Sequence, residues 1–212
     1  MTHNHDDAGD GNILDAIRSS PAGQEAKDLC LHLMSDAIAR RSQGSFNLYG
    51  ALAVKNGDQS WKMAYRNPTG EKHAFLPVLQ VLAAATGARV SGLVTEGWHL
   101  DTRNKSTAEM VQLQKKFDRE GFSISKHPEA RECLFVTVET DDEMLVATVS
   151  LPIEEGKTIM VYSSRDEQGP GVEGTMTGLR PSPSIRLSII TVGMDKAHRL
   201  ARELEMDWIS LN

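Results

Sequence analysis

Alternation with a period of two dominates the middle of the chain, and stripes with a helical period flank it. From Cys133 to Leu151, CLFVTVETDDEMLVATVSL, Leu134, Val136 and Val138 alternate with Cys133, Phe135 and Thr137. Leu145, Ala147, Val149 and Leu151 then alternate with Met144, Val146 and Thr148. β-Branched residues on both phases, with an acidic turn between the two runs, predict a hairpin. Because both phases are apolar near its start, the hairpin is expected inside a sheet, under helices on one face and partly under a neighbour on the other.

Ahead of that hairpin, Ile13, Leu14 and Ile17 predict a short helix docked on the body. Ser20 as N-cap and Pro21 at the first helical position are expected to open a longer one. Its apolar set, Ala26, Leu29, Cys30, Leu33, Met34, Ala37 and Ile38, steps by three and four and so faces the core. FNLYGALAV and SWKMAYR flank the turn Lys55-Asn56-Gly57-Asp58, and Asn-Gly between alternating runs predicts a second hairpin. Residues near 72 to 86 read as a helix with Phe75, Leu76, Leu79, Leu82 and Ala83 inward, ended by Gly87. Pro77 fits there only in the first turn, where its missing donor costs little.

A third strand is expected from about Arg89 to Leu100. Ser106 and Glu109 have capping-box spacing, and Met110, Leu113 and Phe117 continue a helical face as far as Gly121. TIMVYS reads as a further strand, residues 165 to 184 as a flexible Gly-, Pro- and Ser-rich loop, and Ile185 to Val192 as a strand. Asp195 is placed to cap a last helix with Ala197, Leu200, Ala201 and Leu204 buried, and the tail WISLN is left to pack or pair.

These elements predict an α+β fold: a mostly antiparallel sheet of about six to seven strands with helices packed on it. Residues 1–12 are expected to be a disordered tail and 13–212 a single domain. The α-β-β-α-β-β-β order resembles profilin, roadblock and related sensor domains. That resemblance lies in the order of elements and implies a fold, not an activity.

Composition narrows the function classes. A net charge of -6 opposes generic binding to phosphate backbones, and 5% aromatic residues leave few stacking surfaces, so no nucleic-acid partner is expected. No run approaches the length of apolar residues that spans a bilayer, and the polar, acidic start is unlike a signal peptide, so the expectation is a cytoplasmic protein without a membrane partner. Cys30 and Cys133 fall within a helical and a strand pattern and are expected as reduced, packed thiols. His3 and His5 lie in a polar tail without enough fixed ligands, and His32 and His73 fall on or beside helices and read as surface histidines. No metal site and no cofactor are therefore expected. HExxH, CxxC, GxSxG, Walker A and GxGxxG motifs do not occur, and GPGVEGTMTG lacks the Lys-Ser or Lys-Thr of a phosphate loop.

Two places could carry chemistry. On a regular third strand Glu96 shares a face with Val94 and Trp98, where a carboxylate needs a raised pKa or a paired cation. The favoured expectation is instead a bulge at Gly97 that leaves Glu96 at an exposed strand end. His99 falls on the opposite face under regular geometry. The second place is Lys126 to Glu132, where His127, Arg131 and Glu132 precede a strand. The plainer expectation there is a turn set by His127-Pro128, with Arg131 and Glu132 as ion-paired surface residues.

TEGWHL followed by SKHPEARECLFVTVE resembles a group of small bacterial proteins of unknown function, with an acidic-x-Trp strand and then a His-Pro-acidic-x-Arg-Glu segment. The resemblance spans about the middle third of the chain and maps onto Glu96, Trp98, His127, Pro128, Arg131 and Glu132. It implies no activity.

Three functional expectations follow. The first is a non-catalytic binding or assembly protein that meets a protein partner or a second copy of itself, with room for a small ligand, through Trp98, His99 and Glu132. The second is a small hydrolase or ligand-processing enzyme with Glu96, His127 and Arg131 as its catalytic candidates. The third is a dimeric secretion-type chaperone.

Overall fold

A computed structural model describes residues 12–44, 49–53, 60–64, 79–80, 83–84, 87–101, 105–120, 124–152, 158–165 and 207–211. The expectations for the N-terminal tail, the Asn-Gly turn, the first half of the 72–86 helix, most of the 165–184 loop, the strand at 185–192 and the helix after Asp195 fall outside those residues.

Helix α1 (Ile13–Ser19) is opened by Asn12, whose side chain accepts the Leu14 N–H at 3.0 Å. Ser20 closes it, donating its N–H (3.2 Å) and its hydroxyl (2.8 Å) to the Ile17 carbonyl. Helix α2 (Gln24–Ser42) therefore starts later than the sequence predicts, after Gly23 as N-cap. The cause of this correction is the neighbouring helix: the Ser20 hydroxyl is already taken up by the Ile17 carbonyl at the end of α1.

The strands are β1 (Tyr49–Ala53), β2 (Ser60–Ala64), β3 (Val90–His99), β4 (Arg131–Glu139), β5 (Met144–Ser150), β6 (Thr158–Ser163) and β7 (Asp207–Leu211). They lie in the order β6-β5-β4-β3-β1-β2-β7, with every neighbouring pair antiparallel. The fold is α+β, helices on an antiparallel sheet. The C-terminal WISL pairs as β7 along β2, with Trp61 opposite Ser210. Helical residues before Gly87 end in a Schellman arrangement: Ala88 N–H donates to Ala83 O (2.9 Å) and Gly87 N–H to Ala84 O (3.3 Å), with Gly87 at φ +65. Helix α3 (Thr107–Glu120) carries the expected capping box, with Ser106 N–H and hydroxyl donating to Glu109 Oε2 at 2.7 and 2.6 Å. A single 3-10 turn (Ile124–Lys126) leads from it towards β4 and touches β3.

The core lies between α1, α2 and one sheet face. Ala26, Leu29, Cys30, Leu33, Met34 and Ala37 meet Val90, Val94, Leu134, Val136, Val138, Leu145, Ala147 and Val149, all buried. Each such Leu or Val contributes about 1.5–3 kcal/mol over an exposed position. Gly92 lets α2 come close: a Cβ there would stand 2.5 Å from Leu33 Cδ1. On the other phase Leu52, Leu93, Cys133, Val146 and Thr148 are also buried, so the central strands are covered on both sides. Among the described residues no helix is long and apolar enough to cross a membrane.

Candidate functional site

The pairing of β3 with β4 decides where the candidate residues stand. It runs without interruption from Ser91 opposite Glu139 to His99 opposite Arg131, passing Gly97 opposite Cys133. The bulge expected at Gly97 is absent, which is a second correction to the sequence reading. The glycine has a different use: a Cβ at Gly97 would meet the Phe135 ring at 3.2 Å, so its absence lets that ring lie over the strand.

With regular alternation, Gly92, Val94, Glu96 and Trp98 share the face that α2 covers, and His99 takes the other. Glu96 accordingly sits half-buried beside the last turn of α2, with Arg41 Nε 3.2 Å from its Oε1. That oxygen is sealed from solvent, and the contact is an ion pair without hydrogen-bond alignment. Glu96 thus has the paired cation that a half-buried carboxylate on this face needs. Its cation came from a helix far away in sequence, and the only advance sign was Arg41 in a helical last turn.

Trp98 stands opposite Glu132 and His99 opposite Arg131. Directly opposed residues share a face with Cβ atoms about 4.5–5.5 Å apart, so the register brings Trp98 to Glu132 and His99 to Arg131. It does not bring Glu96 to Arg131: they are on opposite faces and three positions apart along the strands, a rise of about 10 Å. His127 lies in the turn after the 3-10 segment, donating its N–H to Ile124 O (2.9 Å) and accepting the Glu129 N–H on Nδ1 at 3.2 Å. Glu129 reaches Lys105 Nζ at 2.6 Å. That hydrogen bond and charge raise the Lys105 pKa and lower that of Glu129. Arg131 and Glu132 are exposed.

The best-satisfied polar cluster is at the other end of the sheet, and the sequence did not single it out. In the turn after β4, Thr140 Oγ1 accepts the N–H groups of Asp142 (3.2 Å) and Glu143 (3.1 Å), which turns the Glu143 side chain inward. Only 2% of that side chain is exposed. Its two oxygens each lie 3.0 Å from the Gly23 N–H at the start of α2, and Arg165 Nε lies 3.0 Å from Oε2. The carboxylate comes from a distant strand turn and accepts the N–H of the N-cap residue itself, at a helix start where the dipole favours negative charge. Around it is a polar depression of about 280 Å³, in which Arg89 also faces Glu25 at 3.6 Å. In TDDE nothing distinguishes Glu143 from Asp141 and Asp142, so no sequence signal marked it.

Both thiols are inert packing groups. Burial pushes Cys30 from its ordinary 9.0 up to about 12, and Cys133 up to about 11, keeping both protonated at neutral pH. Among the described residues no group of three or more His, Cys, Asp or Glu side chains could hold a metal ion. Comparison with protein-family models, with curated proteins and with solved structures gave no match.

Proposed function

We propose that this chain is a non-catalytic binding or assembly protein of the cytoplasm, acting through the end of the sheet that carries Trp98. One observation carries the reading: on a sheet face whose Val90, Val94 and Leu134 are buried, Trp98 is 44% exposed. A large aromatic group held at a rigid strand end is a low-entropy anchor for a partner. The profilin-like order of elements and a sheet of six to seven strands belong to the same proposal, as a platform that presents this end. A dimeric secretion-type chaperone would be one form of such an assembly.

A hydrolase working through Glu96, His127 and Arg131 would require a carboxylate and a guanidinium on opposite sheet faces to meet one substrate. General acid–base work needs hydrogen-bond reach, and that requirement puts the binding reading first. The test is light scattering over a concentration series together with affinity capture from the native host, using the wild-type chain and Trp98→Ser side by side. Self-association or a partner that is lost in Trp98→Ser is expected. A monomer at every concentration with no Trp98-dependent partner overturns the proposal.

A further inference from the structure

The row that pairs Trp98 with Glu132 lies just past the end of α2. Arg41, in the last turn of that helix, meets Glu96, and Trp98 follows Glu96 by two positions on the same face, a rise of about 7 Å. The helix therefore covers the face as far as Glu96 and stops before Trp98. Glu132 is exposed directly across from the indole, and among the described residues it has no ion-pair partner. An indole face attracts cations through its quadrupole, and a carboxylate beside it supplies the counter-charge. One row back, the same face already accepts a guanidinium against a carboxylate, in the Arg41–Glu96 pair. Arg131, the adjacent cation in sequence, alternates to the other face with His99 and does not fill the place.

We infer that the Trp98–Glu132 row docks a lysine or arginine side chain from a basic segment of a protein partner. The inference rests on the binding reading above and names the chemistry of its contact. The cation lies over the indole and pairs with the Glu132 carboxylate. The net charge of -6 favours the approach of a basic segment to the chain as a whole.

Tetra-arginine and tetra-glutamate peptides, titrated into the full chain while the indole N–H resonances are followed by NMR, provide the test, with Trp98→Phe used to assign the Trp98 signal. Tetra-arginine should move that signal saturably and tetra-glutamate should not. Glu132→Gln should weaken tetra-arginine by about two- to fivefold. Asp142→Asn, the same loss of charge at the far end of the sheet, should leave the affinity unchanged. Equal binding of both peptides overturns the inference, as does an equal loss in Asp142→Asn, which would mark bulk electrostatics. If light scattering or capture still depends on Trp98 while tetra-arginine fails to bind, this inference falls and the binding reading stands. Glu132→Gln alters an exposed side chain, so its outcome is readable even where Trp98 substitutions perturb folding.

Discussion

The two ends of the α2-covered face are built on opposite terms. At the start of α2, Glu143 is buried, accepts the Gly23 N–H on both oxygens and holds Arg165, so backbone donor, carboxylate and guanidinium satisfy one another. At the end of α2, Arg41 and Glu96 form a half-buried ion pair, and one row further Trp98 and Glu132 face water. The contrast teaches that burial and polarity do not by themselves mark function. The more enclosed cluster is the one whose groups are already paired, and it fixes a helix, whereas the row past the end of α2 is left open to water.

Removing the closed end's carboxylate is the strongest way to break this comparison. Glu143→Ala strips the Gly23 N–H and Arg165 of their acceptor and should cost about 2–4 kcal/mol in urea unfolding. A loss below about 0.5 kcal/mol would mean that water replaces the carboxylate and that this end is no more closed than the other. Next in size is Gly23→Ala. Its Cβ would stand 2.5 Å from Glu143 Oε1, while the backbone φ of -65 suits any residue, so the strain added to the folded state is steric and not a matter of backbone conformation. About 1–3 kcal/mol is expected, and the loss should shrink sharply when measured in the Glu143→Ala background.

A smaller and local effect should appear at the open end on acidification. Hydrogen bonds from the Ser106 hydroxyl and N–H hold the Glu109 carboxyl below its ordinary 4.5, and Lys105 does the same for Glu129. Folded-state pKa values lowered in this way give stability that is present above 4.5 and lost as pH falls through the depressed values. The protection of the amides from Ser106 to Glu109, taken relative to the intrinsic exchange rate at each pH, should therefore fall below pH 4.5, and in Glu109→Gln that acid-dependent step should disappear. The smallest effect is expected for Glu132→Gln, which should change stability by no more than about 0.5 kcal/mol because an exposed carboxylate holds nothing in place. A larger loss would show that the open row supports the fold, and would weaken its reading as a contact surface.

Local pattern was enough for much of the architecture. The central hairpin, the buried stripe of α2, the Ser106–Glu109 box and the stop at Gly87 all follow from side-chain period and capping chemistry within a few residues. The start of α2 was misread because Ser20-Pro21 fits a helix opening just as well as the closure of α1, and only the neighbouring helix settles which. Gly97 was misread for a related reason. A glycine in a strand signals close approach as much as a bulge, and the approaching group was a ring two positions along the partner strand.

What the sequence determined by itself was the α+β class and the faces of its main elements. Those depend on alternation and on interactions within a turn of helix or a pair of strands. Only the tertiary structure decided that Glu96 meets Arg41, that Glu143 instead of its two acidic neighbours turns inward onto α2, and that Trp98 looks out beside Glu132 past the end of that helix. Those outcomes depend on sheet register and on where one helix stops over it. Both are set by contacts between residues distant in the chain, which no local pattern encodes.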